Sequence, residues 1–140
     1  MFKYFTPQEA TKTIPDLKRR FETIIYQQKK IITLQEELER IFQRGMSFDH
    51  FMGKKQELNS AISRLYILIE ELEGLGIIVK SIEEGLVDFP SIRFQEEVWL
   101  CWKIEETEVS FWHGKNEGYR NRKTLAPKGF VAENDLADLR

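Results

Sequence analysis

A repeating apolar pattern between Leu17 and Phe42 constrains the fold of this chain more than any other feature. Its members recur at alternating spacings of four and three residues, the heptad pattern of a helix that buries one face. They are Leu17, Phe21, Ile24, Gln28, Ile31, Gln35, Leu38 and Phe42. The pattern predicts an amphipathic helix from Asp16 to about Gln43, roughly 42 Å long at about 1.5 Å per residue.

Two glutamines, Gln28 and Gln35, interrupt this apolar stripe. Polar residues at such positions often fix the register of a coiled coil, so they could pair across a dimer axis. They could equally lie at a partly solvated edge of the helix. The sequence leaves both interpretations open.

A separate short helix is predicted before the long one. Thr6 and Glu9 have the spacing of a capping box, and Pro7 stands at the first helical position. Pro15 disfavours the helical conformation of the residue before it, Ile14. We therefore expect this helix to end before Pro15.

A second long helix follows the segment 44–53. Gly45 is a candidate C-cap for the first long helix, and Ser47 or Asp49 a candidate N-cap for the second. The apolar stripe of the second helix consists of Phe51, Leu58, Ile62, Leu65, Ile69 and Leu72. Two long amphipathic helices with a short connection pack antiparallel. Residues 5–76 are thus predicted to form a helical hairpin, with a coiled-coil-like apolar face.

Residues 77–113 change to the pattern of a small sheet. Strands are predicted at 77–82, 97–104 and 107–113, and between the first two lies a short extended piece that Pro90 ends or places at a sheet edge. We expect a three-stranded, mostly antiparallel sheet packed on the helices. The predicted fold class is α+β.

A tight turn at Glu105-Glu106 predicts the register of the last two strands. It pairs Lys103 with Glu108, Trp99 with Trp112, and Val98 with His113. In this register His113 lies on the apolar face, and Cys101 lies on the opposite one.

The bulk composition predicts a single cytoplasmic domain of 140 residues with a net charge of −2. Neither a signal peptide nor a membrane-spanning segment is expected. Residues 114–140 are predicted to be a basic loop and a loose tail. The segment 114–128 holds five basic residues and one acidic residue, for a net charge of +4. Because the chain as a whole is acidic, we do not expect it to bind nucleic acid.

Several segments resemble a family of prokaryotic proteins, domain of unknown function family 2203. They are FTPQEATKTIPDL (5–17), GLVDFPS (85–91), EVWLCWKI (97–104), EVSFWH (108–113) and EGYRNRKTL (117–125). At the hairpin tip the chain departs from the family's usual Gly-Glu, having Glu105-Glu106. The resemblance implies no particular activity, but it does imply that Asp88, His113 and Arg122 belong to one structural unit.

The candidate ligand-binding residues are Asp88, His113, Glu117, Tyr119 and Arg122. Asp88 lies in an apolar segment and needs a partner, which His113 or Arg122 could supply. In a ligand site, Arg122 would hold an anionic group, His113 would transfer a proton, and Asp88 would orient it. Alternatively, these residues form a structural ion pair that ties the loop to the sheet.

Metal-binding and nucleotide-binding motifs are absent from the sequence. There is no C-x-x-C, H-E-x-x-H or phosphate-binding loop, and Cys101 is the only cysteine. An Asp88–His113–Glu117 metal site is conceivable, but we predict no metal and no cofactor. The sequence favours a protein without enzymatic activity and leaves a catalytic site at Asp88, His113 and Arg122 as the alternative.

The long helices present more apolar length than a small sheet can cover. The uncovered apolar part is expected to pack against another surface, most simply a second copy of the chain or a helical partner. We therefore predict a structural or interaction module that acts through its helical face, as a homodimer or an adaptor.

Overall fold

Two long antiparallel helices form the first half of the protein. The computed structural model describes residues 3–125, and within them α1 spans Pro7–Arg44 and α2 spans Phe48–Gly74. Thr6 accepts a hydrogen bond from the Glu9 backbone N–H, and the Glu9 carboxylate accepts one from the Thr6 N–H. Gly45 ends α1 in the left-handed conformation, with φ 62°, and the Ser47 side chain caps α2. The predicted hairpin and its caps are confirmed.

The predicted short N-terminal helix is wrong, because α1 continues through Pro15. Proline in a helix interior costs about 3 kcal/mol. The buried side chains of Ile14, Leu17 and Phe21 lie on one stripe that crosses the proline, and each stabilises the fold by about 1.5–3 kcal/mol. Burial along the continuous stripe therefore outweighs the local cost.

The predicted three-stranded sheet is corrected to five strands within the described residues. The strands are β1 (Ile78–Ser81), β2 (Leu86–Arg93), β3 (Glu96–Lys103), β4 (Phe111–Gly114) and β5 (Lys123–Thr124). Each strand pairs antiparallel with the next. A short 3₁₀ helix, Tyr119–Asn121, precedes β5. The predicted tail beyond residue 125 lies outside the described part of the chain.

One added strand, β2, contains the proline that was expected to end or edge it. β1 pairs only with Leu86, Val87 and Asp88, so it has ended before Pro90. The Pro90 carbonyl accepts a hydrogen bond from the Phe5 backbone N–H, 2.8 Å away. Pro90 therefore sits where β2 needs no further N–H donor toward a neighbouring strand.

The predicted register of β3 and β4 is wrong by one residue. Trp99 pairs with His113, and Leu100 pairs with Trp112. The connection is a longer excursion in which the Val109 side chain is buried and its backbone N–H donates to the Thr11 hydroxyl of α1. Because the turn is not tight, it does not fix the pairing. The shift places His113 on the same sheet face as Cys101.

The inner face of the sheet packs on one end of the helical hairpin. Its core side chains are Val87, Phe89, Leu100 and Trp102, together with Phe21, Ile24 and Leu72 of the helices. Farther along the hairpin, Ile31, Leu34, Leu58 and Ala61 form a second cluster between the two helices. Within the described residues, the hairpin thus has a sheet-covered end and an end where the two helices pack on each other.

Candidate functional site

Three polar side chains come together on the outer face of the sheet, opposite the helices. They are Asp88 of β2, Cys101 of β3 and His113 of β4. Asp88 lies directly across from Cys101, and His113 lies diagonally across from Cys101. All three are almost inaccessible, with exposures of 1%, 1% and 2%. The structure therefore places a buried polar cluster where an outer sheet face would ordinarily be solvated.

The orientation of the His113 ring is fixed by hydrogen bonds at both nitrogens. Nδ1 lies 3.1 Å from the Gly114 carbonyl oxygen, which can only accept, so Nδ1 carries a proton. Nε2 lies 3.2 Å from Oδ1 of Asp88. The other carboxylate oxygen, Oδ2 of Asp88, is buried and has no hydrogen-bond partner within residues 3–125.

The electrostatic balance of the cluster favours a charged histidine. Burial by itself lowers the pKa of His113, because it penalises the imidazolium. Hydrogen bonds to Asp88, Cys101 and the Gly114 carbonyl, together with the charge of Asp88, outweigh this and raise the pKa of His113 to about 10. Asp88 and His113 thus form a buried ion pair.

Arg122 lies in the loop after β4 and pairs with Glu106, not with Asp88. Its guanidinium is 2.8 Å from the Glu106 carboxylate and stacks 3.8 Å from the ring centre of Phe111. Burial lowers the pKa of Arg122, but the bond to Glu106 prevails and raises it. The loop is thereby tied to the chain that follows β3.

Glu117 and Tyr119 make contacts within and beside the same loop. The Glu117 carboxylate accepts hydrogen bonds from the Gly114 N–H at 2.7 Å and from the Lys123 ammonium at 2.9 Å. The Tyr119 hydroxyl accepts a hydrogen bond from Arg122 at 3.4 Å. Tyr119 also lines an open cleft of about 630 Å³, whose wall includes Lys103 and Arg120.

Of the five residues predicted to form a ligand site, the structure brings Asp88 and His113 into direct contact. It directs Glu117, Tyr119 and Arg122 to other partners. The cleft beside Tyr119 is lined by other residues than Asp88 and His113. The ligand-binding role of these five residues stays a prediction.

Cys101 was missed as a member of the cluster, because the predicted register put it on the opposite face from His113. The structure brings one potential ligand atom from each of Asp88, Cys101 and His113 within 4.8 Å of the others. A carboxylate, a thiol and an imidazole form a donor set that Zn²⁺ uses in proteins. These three side chains are therefore candidates to hold a metal.

The comparisons with known proteins identify the family. A family model described as an uncharacterized conserved protein, DUF2203, matches residues 3–125. The chain belongs to this family. No curated protein and no solved structure is similar enough to match it. The family assignment confirms the resemblance seen in the sequence, and it carries no assigned activity.

Over residues 3–125, neither α1 nor α2 nor any other helix combines the length and the apolar character needed to cross a bilayer.

Proposed function

We propose that the protein is a structural or interaction module that self-associates through the open end of its helical hairpin. We define the open end as Phe42, Met46, Phe48 and Met52. The observation that supports this is their exposure, which reaches 76% for Phe42 and 74% for Phe48. Single exposed apolar residues are ordinary, but a cluster of large ones is typical of an interaction surface.

The position of the open end favours a helical contact. The ring of Phe42 lies 6.3 Å from the ring of Phe51, so the two helix ends present their aromatic side chains together. Gln35, one heptad before Phe42, is exposed on the same stripe. In a pair of hairpins, such a glutamine can hydrogen-bond to its own copy across the two-fold axis.

The charge around the open end suits a second copy better than a strongly charged partner. Residues 36–57 contain four basic and five acidic side chains, so the region is almost neutral. In a two-fold symmetric contact each patch faces itself, and a large net charge would repel. The self-associated form that we propose is a bundle of four helices, two from each copy.

Sedimentation velocity over a concentration series tests the proposal. We expect a dimer for the natural chain and a monomer for a Phe42→Ser, Phe48→Ser double variant. The matched control is Tyr26→Ser, Tyr66→Ser, because these rings are also well exposed, at 69% and 62%, but lie outside the open end. The control variant should remain a dimer.

Two outcomes would overturn self-association at this surface. One is a natural chain that stays monomeric at every attainable concentration, which would leave a different helical protein as the occupant. The other is a control variant that dissociates as readily as the open-end variant. Circular dichroism of both variants checks that the helices are retained.

A further inference from the structure

We propose that Asp88, Cys101 and His113 bind a divalent transition-metal ion, with Zn²⁺ as the best match. The inference rests on the outer-face cluster and not on the proposed self-association. Each ligand comes from a different strand, so an ion would join β2, β3 and β4 side chain to side chain. Its effect would be to hold the outer face of the sheet together.

The distances within the cluster are close to those of a metal site. The three potential ligand atoms all lie within 4.8 Å of one another. In a tetrahedral zinc site, with bonds of about 2.0 Å to nitrogen and oxygen and about 2.3 Å to sulfur, the ligand atoms of a set with one sulfur are roughly 3.3–3.5 Å apart. Closing around an ion therefore requires the most distant pair to approach by at most about 1.5 Å.

An unsatisfied polar atom supports a metal site independently of the distances. Oδ2 of Asp88 is buried without a hydrogen-bond partner in the described range, and the residue is only 1% exposed. A buried carboxylate oxygen in that state costs free energy. A coordinated cation would supply the partner that residues 3–125 do not.

The histidine is already held in the orientation of a metal ligand. Metal-bound histidines usually donate their other ring N–H to a backbone carbonyl or a carboxylate, which fixes the tautomer. His113 Nδ1 donates to the Gly114 carbonyl in this way, and Nε2 faces Asp88. The nitrogen that would bind the ion is thus the one inside the cluster.

The donor set selects the kind of ion. Thiolate and imidazole favour Zn²⁺ and its neighbours over Mg²⁺ and Ca²⁺, which prefer oxygen ligands. On binding, the ion replaces the proton on Nε2 of His113 and the proton on Sγ of Cys101, and both protons pass to water. One carboxylate and one thiolate then balance the two positive charges of the ion.

Cobalt titration of the full chain provides the test. The protein is stripped with a chelator and titrated with Co²⁺ alone, followed by absorption. We expect one ion per chain, a thiolate-to-cobalt charge-transfer band in the near ultraviolet, and visible bands of a tetrahedral site. Since the chain has one cysteine, that band reports Cys101 directly and needs no variant. Adding Zn²⁺ should bleach the spectrum.

Matched variants locate the site. Cys101→Ser, which is nearly isosteric, should remove the charge-transfer band and weaken Co²⁺ binding at least tenfold, with an unchanged circular dichroism spectrum. His50→Asn replaces the second histidine of the chain, which is exposed near the start of α2, and should bind Co²⁺ as the natural chain does.

The proposal is overturned if the stripped natural chain shows no charge-transfer band in excess Co²⁺. It is also overturned if His50→Asn, and not Cys101→Ser, loses the ion. Either result would leave the cluster as a buried ion pair beside a thiol.

Discussion

The two ends of the helical hairpin place the same residue type in different surroundings. Phe21 and Phe42 lie three heptads apart in α1, but the buried stripe passes through Gln27, Leu34 and Ile41, so Phe42 lies beside it. Phe21 is fully buried beneath the sheet, whereas Phe42 is 76% exposed. The same residue type thus serves the core at one end of α1 and the surface at the other.

This difference shows how one periodic pattern can support two kinds of packing. At the sheet-covered end, the apolar side chains of α1 are buried against side chains of the sheet such as Phe89 and Trp102. Beyond it, as far as residues 3–125 show, the helices pack on each other, and a two-helix layer cannot bury both its faces. The open end is therefore where contacts between molecules are expected.

The comparison is tested most strongly by truncating the two phenylalanines. Phe21→Ala should lower the free energy of unfolding by about 3–5 kcal/mol, because it leaves a cavity in a packed core. Phe42→Ala should change it by less than about 0.5 kcal/mol. Urea unfolding of both variants at low protein concentration measures the difference. Equal losses would mean that the sheet does not distinguish the two ends.

Replacing Pro15 should change the free energy of unfolding in the opposite direction. Pro15→Ala should raise the free energy of unfolding by about 2 kcal/mol, since it removes a helix-interior penalty of about 3 kcal/mol and returns about 1 kcal/mol of unfolded-state entropy. Pro15 is exposed, so its own side chain contributes little to the core. Thermal unfolding followed by circular dichroism checks this. A destabilised variant would show that the ring is needed for packing.

Features fixed by neighbouring residues could be predicted from the sequence. The Thr6–Glu9 capping box, the left-handed Gly45 and the Ser47 cap each depend on a few adjacent residues, and all three are confirmed. Local rules failed at Pro15, where burial of a stripe that extends over several turns prevails. At Pro90 the expectation held in one of its two forms: β2 continues through the proline, but Pro90 lies at the edge of the sheet, since β1 has ended before it.

The register of the strands was harder to predict, and with it the make-up of the outer-face cluster. β2 and β3 are joined by the two residues Phe94 and Gln95, both with positive φ. Asparagine and glycine usually occupy such a turn, so this pair gives little sequence signal. Recognising the two-residue turn would have placed Cys101 opposite Asp88. The Asp88–His113 contact could be anticipated from the need of a buried carboxylate for a partner.

Two glycines sharpen the contrast between the sheet-covered end and the helices beyond it. Gly85 has φ 69°, and an added Cβ would lie 2.7 Å from the Ile104 side chain. Gly85→Ala should therefore lower the free energy of unfolding by at least about 1–2 kcal/mol. Gly53, in α2, has no atom within 4 Å of an added Cβ. Gly53→Ala should raise it by about 0.5–1 kcal/mol. Denaturant unfolding measures the free energy of unfolding of both variants. If both substitutions change it in the same direction, the two ends do not differ in the way described.

The smallest expected effect concerns the loop that follows β4 on the sheet-covered end. The hydrogen bonds from Lys123 and from the Gly114 backbone lower the pKa of Glu117 below its ordinary value of 4.5. A carboxyl group with a depressed folded-state pKa contributes stability that is present above the unfolded pKa and is lost as the pH falls through the folded pKa. Glu117→Gln should thus lower the melting temperature slightly at pH 7, and the difference from the natural chain should vanish in acid.

A double-mutant cycle assigns this effect to the loop contact. The melting temperature of Lys123→Met should depend on pH as that of Glu117→Gln does. The melting temperature of the double variant should fall no further than that of either single variant. Melting temperatures over a pH series provide the measurement. If the Glu117→Gln difference persists unchanged well below pH 4.5, the carboxylate does not hold the loop. The position of the loop would then depend on the Arg122–Glu106 pair, which is more buried than Glu117 and Lys123.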